Sequence, residues 1–162
     1  VRRRRGGRGR LRASKEKKGP RVLTSQASFY RDTQDTMGWN VSETGFTLVP
    51  SPNVPQVIRK FLPGDVDRVL AARSLTKKDI GSYIFHTGGP KVLQAMMDAL
   101  ELPEGSCDAS WQNLREVGNP SSPSVPLRLK DVMDNRRPAP ETLGLIAAMG
   151  PGFCSELLLI EW

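Results

Sequence analysis

Ser82-Tyr83-Ile84-Phe85-His86-Thr87-Gly88-Gly89-Pro90-Lys91 is the stretch on which the fold turns. It puts the only histidine of 162 residues at the end of a β-prone run. Two glycines and a proline follow, and apolar residues at helical spacing begin at Lys91. Proline suits a first helical position, where a missing N–H leaves nothing unpaired. The paired glycines carry no Cβ and admit a close approach of backbone or ligand. A strand–His–Gly-Gly–helix corner aims an imidazole at a helix N-terminus, where free N–H groups and partial positive charge collect. A tight turn with an incidental histidine is the plainer reading of this corner alone.

Downstream, residues 91–101 read as a helix with Val92, Met96 and Ala99 on one side and Leu93, Met97 and Leu100 beside them. Its methionines read as core filler. Asp108 is placed to cap a helix bearing Trp111, Leu114 and Val117, ended by Gly118 in a left-handed conformation. Asn119-Pro120-Ser121-Ser122 is a loop. Val125, Leu129, Val132 and Met133 then recur at helical spacing, with Pro123 and Pro126 crowding the start. Pro138 and Pro140 form a rigid connector. Thr142 to Met149 and Phe153 to Ile160, joined by Gly150-Pro151-Gly152, read as a hairpin buried on both faces.

Upstream, Arg21–Ser25, Ala27–Tyr30, Met37–Val41 and Gly45–Val49 are short β-prone runs that suggest a small antiparallel ribbon. Val54, Val57, Ile58, Phe61 and Leu62 follow at helical spacing. Pro63-Gly64 is expected to break that helix and Asp65 to cap a second one bearing Val66, Val69 and Leu70. The order β-α-β-α-α-β-β predicts an α/β fold, a mixed sheet covered by helices.

The net charge of +7 is unevenly spread. Residues 1–21 hold eleven Lys or Arg and one Glu, a net +10, and the remaining 141 residues are mildly acidic. We divide the chain into a basic arm at 1–19, expected to be disordered and able to attract polyanions, and a globular domain at 20–162. No aromatic interleaves with the arginines, which argues against sequence-specific RNA binding. The chain begins with Val1 and reads as a piece of something longer. No apolar run approaches the roughly 18 residues that span a bilayer, and the arginine-rich start lacks the apolar core of a secretion signal. Cys107 and Cys154 have no metal-ligand spacing and suggest free thiols. A cytoplasmic protein with no metal and no membrane contact is expected.

His86-Thr87-Gly88-Gly89-Pro90, Gly118-Asn119-Pro120-Ser121-Ser122 and Gly150-Pro151-Gly152-Phe153 together resemble the C-terminal half of a bacterial-type III polyketide synthase. That is the chalcone and stilbene synthase family of the thiolase-like fold, and the resemblance runs from about Gly19 to Trp162. It implies an acyltransferase that condenses malonyl-CoA with an acyl-CoA starter, with coenzyme A thioesters as substrates and no further cofactor. It implies a Cys-His-Asn constellation in which His86 and Asn119 are catalytic and the nucleophilic cysteine lies in a missing N-terminal half. Phe46 would stand as gatekeeper, Gly88, Gly89 and Lys91 along the pantetheine arm, Ser121 in the cavity wall, and Gly150, Pro151 and Gly152 around the cyclisation pocket. A buried strand phenylalanine and ordinary turns explain Phe46, Asn119 and the glycine loop equally plainly. The full-length parent would be a homodimer.

Neither Cys107, on an expected surface helix, nor Cys154, inside the last strand, is placed to replace the missing thiol. Pro120, Pro123 and Pro126 depart from the family pattern, and Pro126 in particular is expected to fit poorly inside a helix. Two rivals remain. A ketoacyl synthase III-like enzyme of fatty acid synthesis shares the fold and the triad. A non-catalytic thiolase-like remnant with a polyanion-binding arm is the other.

Overall fold

The structure, a computed structural model, describes residues 19–162. All of the basic arm except Gly19 therefore lies outside the described residues. Four strands form one sheet in the order β1-β6-β5-β4, from β1 (Arg21–Phe29), β6 (Cys154–Glu161), β5 (Leu143–Gly150) and β4 (Ile80–Phe85). β4 and β5 run parallel, while β5–β6 and β6–β1 are antiparallel. A separate two-stranded ribbon pairs β2 (Met37–Ser42) with β3 (Gly45–Pro50). The sheet is mixed and helix-covered.

Side-chain alternation in β5 and β6 separates two cores, as period-2 geometry requires. Leu145, Ala147, Leu157 and Leu159 face α1 (Val54–Ala71) and α2 (Pro90–Leu100). Ile146 and Ile160 face α4 (Ser124–Asn135), together with Ile84 and Trp162. The hairpin is thus buried on both sides, as its Leu/Ile density indicates. α3 (Asp108–Val117) bridges α2 and α4. Three helices, α2, α3 and α4, occupy the crossover between β4 and β5.

Several local expectations need correction. β1 runs unbroken from Arg21 to Phe29 and pairs with β6 in the main sheet, so only the second pair of β-prone runs forms the ribbon. α1 continues through Pro63, because Ile58 and Leu62 before it and Val66, Val69 and Leu70 after it lie on one buried stripe. Burial of that stripe outweighs the local cost of the proline, roughly 3 kcal/mol. Asp65 is no cap. It is fully buried and accepts hydrogen bonds from the hydroxyls of Tyr30, Ser28 (2.9 Å) and Ser155 (2.9 Å), with Arg68 as its ion-pair partner. Burial and the bond to Asp65 together raise the Tyr30 phenol well above its ordinary range.

Asp108 opens α3 as its first residue while Cys107 occupies the cap position, fully buried instead of on a surface. Gly118 has a positive φ of 76°, but its ψ of −150° lies outside the left-handed helical region. Pro126 also fits better than expected. It is the third residue of α4, where the backbone N–H has no intrahelical partner to lose.

Candidate active site

His86 follows directly on β4, and its backbone N–H extends the parallel ladder to Ala147 O at 2.9 Å. Gly89 then takes φ +140° at the cap of α2, a value that side-chain-bearing residues rarely adopt, and Pro90 is the first helical residue. At Gly88 a Cβ would lie 3.1 Å from Val92 Cγ1 and 3.4 Å from His86 Cδ2, so the corner closes tightly around the ring. The imidazole is half-buried, and burial pushes its pKa below the ordinary value. It is therefore neutral near pH 7 and holds one ring proton.

Asn119 comes from the loop between α3 and α4. Its side-chain oxygen accepts from Ser121 N at 2.9 Å, and its amide nitrogen donates to Gly88 O at 3.3 Å. Thr87 Oγ1 ties the same two loops by donating to Gly118 O at 3.3 Å. The histidine corner and the asparagine loop, about thirty residues apart in sequence, are in this way fastened to each other.

A cavity of about 640 Å³ opens beside this junction. His86, Gly88, Gly89, Lys91, Asn119, Ser121 and Pro151 all line it, so seven of the ten residues singled out in the sequence converge here. Gly150 lines a second cavity of about 420 Å³ on the α4 side of the sheet, shared with His86, Ser121 and Pro151. Gly152 lines neither. It shapes the turn at φ +129°, where a Cβ would stand 3.2 Å from the Phe29 ring. Among the described residues no group of three or more His, Cys, Asp or Glu side chains could hold a metal, and no helix is long and apolar enough to cross a membrane.

Phe46 is misplaced in the sequence reading. It is 73% exposed near the ribbon tip, edge-on to Trp39, and touches neither cavity. The cross-strand pairs Met37–Pro50, Trp39–Leu48 and Val41–Phe46 share one face of the ribbon. Only the first two pairs reach the cavity. Leu48, two residues along on that same face, lines the cavity where Phe46 does not. Trp39, Met37 and the fully buried Phe153 are further lining residues that sequence reasoning missed. Period-2 alternation could have placed Met37 and Trp39 on the correct face, but not at the correct depth, whereas Phe153 lies in the turn before β6.

The two thiols differ. Burial pushes Cys107 up to about 12, which leaves it protonated and unreactive. Cys154 is the first residue of β6, half-buried, and lines the second cavity along with His86.

Residues 70–162 match the family described as 3-Oxoacyl-[acyl-carrier-protein (ACP)] synthase III C terminal. The chain belongs to this family. Its relatives are bacterial type III polyketide synthases, and it corresponds to the C-terminal part of their chains. It is 47% identical over 143 residues to the 1,3,6,8-tetrahydroxynaphthalene synthase of Streptomyces peucetius subsp. caesius, covering 88% of this chain and 38% of that one. It is 32% identical over 146 residues to the 3,5-dihydroxyphenylacetyl-CoA synthase of Amycolatopsis orientalis, covering 89% and 40%. The crystal structure of the 1,3,6,8-tetrahydroxynaphthalene synthase of Streptomyces coelicolor A3(2) superposes with a TM-score of 0.83 at 27% identity, covering 89% of this chain and 41% of that one. The chain spans about two fifths of the length of these relatives. The thiolase-like fold expected from the three motifs is the fold observed.

Proposed function

We propose that this chain is the half of a type III polyketide synthase that stabilises negative charge while malonyl-CoA condenses with an acyl-CoA starter. The convergence of His86 and Asn119 at one wall of the 640 Å³ cavity carries this reading. In the parent enzyme a cysteine thiolate from the preceding half attacks the starter thioester, and coenzyme A leaves with its sulfur. Malonyl-CoA then loses carbon dioxide, and the C–C bonding pair becomes an enolate on the thioester carbonyl. A neutral imidazole N–H and an amide N–H both suit that developing oxyanion, since neither donor has to ionise to help. The enolate carbon attacks the acyl group, and the thiolate departs. Gly88, Gly89 and Lys91 line the same cavity and would run along the pantetheine arm of the thioester. The ketoacyl synthase III alternative shares the acyl-thiolate, decarboxylation and condensation chemistry. The relatives favour the polyketide branch.

Reconstitution tests this. The chain alone is expected to form no condensation product from malonyl-CoA and any acyl-CoA, because the positioning advantage of a tethered acyl group, roughly 7–11 kcal/mol, is missing. Supplying the N-terminal half of the Streptomyces peucetius relative should restore it. His86→Ala or Asn119→Ala should then lower the restored rate by about 10²–10³-fold. Product formed by the chain alone and surviving Cys107→Ala with Cys154→Ala would overturn the mechanism. Loss of such activity in Cys154→Ala alone would assign the nucleophile to Cys154.

The reading extends to a cytoplasmic homodimer for the parent and to polyanion binding by residues 1–19. Their charge supports the latter, since neutralising phosphates or sulfates releases counterions. Heparin should retain the chain at low salt and release it steeply as salt rises. Equal retention after deletion of residues 1–18 would remove the arm from the account.

A further inference from the structure

Ser124 is fully buried at the first position of α4, and its Oγ lies 2.5 Å from His86 Nδ1. A hydroxyl has one hydrogen to give, whereas a neutral imidazole has one nitrogen that donates and one that accepts. Two arrangements satisfy the distance. If Nδ1 carried the ring proton and gave it to Oγ, the hydroxyl hydrogen of Ser124 would be left buried and unused, which is costly. If instead the hydroxyl donates to the Nδ1 lone pair, both groups are satisfied, and the ring proton must sit on Nε2.

We infer that Ser124 is a positioning residue that fixes His86 in the Nε2–H tautomer, so that the nitrogen left free at the cavity is a hydrogen-bond donor. The opposite tautomer would present a lone pair to the cavity and repel a developing oxyanion. The consequence for catalysis rests on the enolate reading above, while the tautomer itself does not. Ser124 reaches the ring only because α4 packs against β4, so the helix that follows the asparagine loop also sets the chemistry of the histidine. Neither residue is near the other in sequence, being 38 positions apart.

His86 is the only histidine, so nitrogen-15 labelling of histidine in the full chain gives a single imidazole to read. Long-range nitrogen–proton correlation near pH 7.5 should show a protonated Nε2 and an unprotonated Nδ1. A wild-type spectrum with the proton on Nδ1 overturns the inference without any variant being needed. Ser124→Ala should bring the Nδ1–H form into view, and Ser124→Thr, which keeps the hydroxyl, should suppress it again. In the reconstituted enzyme Ser124→Ala should lower kcat for malonyl-CoA decarboxylation about tenfold with KM little changed, as expected where a transition-state contact is lost. An unchanged tautomer in a folded Ser124→Ala chain also overturns the inference. An Nε2–H tautomer in a reconstituted protein with no decarboxylase activity would sink the functional reading and leave the role of Ser124 standing.

Discussion

His86 is held neutral by its surroundings, and that has a consequence for stability with a definite sign. Burial lowers its folded-state pKa below 6.5, so the unfolded chain binds a proton at a pH where the folded chain does not. Stability contributed by the neutral ring is complete above the unfolded pKa and is lost as pH falls below it. Thermal midpoints measured from about pH 7.5 down to about pH 5.5 should therefore fall more steeply for the wild type than for His86→Gln. Parallel curves would mean that the ring is not desolvated. The same residue shows what a sequence can and cannot disclose. The Gly-Gly-Pro that follows it dictates the corner, because positive φ and a proline at the first helical turn leave few alternatives. Its hydrogen bond to Ser124 leaves no local trace, since it depends on how α4 docks.

At the scale of elements, α1 is where a local rule failed. A proline inside a helix forfeits one backbone bond and clashes with the preceding turn. Here the helix continues, because its buried stripe and the hydroxyls gathered on Asp65 hold both halves in line. Pro63→Ala should therefore stabilise the chain, by up to about 3 kcal/mol in denaturant midpoint measurements. A destabilised variant would show that the ring of Pro63 makes packing contacts that outweigh its backbone defect. Elements bounded by glycine, proline and strict periodicity were legible from sequence alone: α2, α3, α4 and the β5–β6 hairpin. β1 was legible as a strand but not in its partnership, because strand propensity says nothing about which edge will receive it. That Leu48 and not Phe46 lines the cavity has the same origin. Both sit on one face of the ribbon, and only the tertiary position of the ribbon decides which reaches the cavity.

At the scale of the whole molecule, the described residues leave an apolar surface uncovered among themselves. Trp39, Val41 and Phe46 on one ribbon face are 53%, 65% and 73% exposed, and Phe29 at the end of β1 is 64% exposed. Exposed apolar surface of this kind promotes association. Sedimentation velocity of the chain should show concentration-dependent oligomers, reduced when Val41→Lys and Phe46→Lys are combined. A monomer at every concentration would contradict this.

The pairing of the first strand with the last bears on how such a chain is made. Arg21 and Glu161 are partners across 140 positions, and the cavity wall at Pro151 and Phe153 lies in the hairpin that contains the last strand. A ribosome releases these parts in the reverse of their order of need. β1 emerges well before β6 and must wait, with its pairing groups unmet, until β6 has left the exit tunnel. Pairings of such long range are slow to form and expose unpaired edges meanwhile. The helices and the ribbon can take shape during synthesis, but the sheet and the cavity it supports can close only after β6 is free.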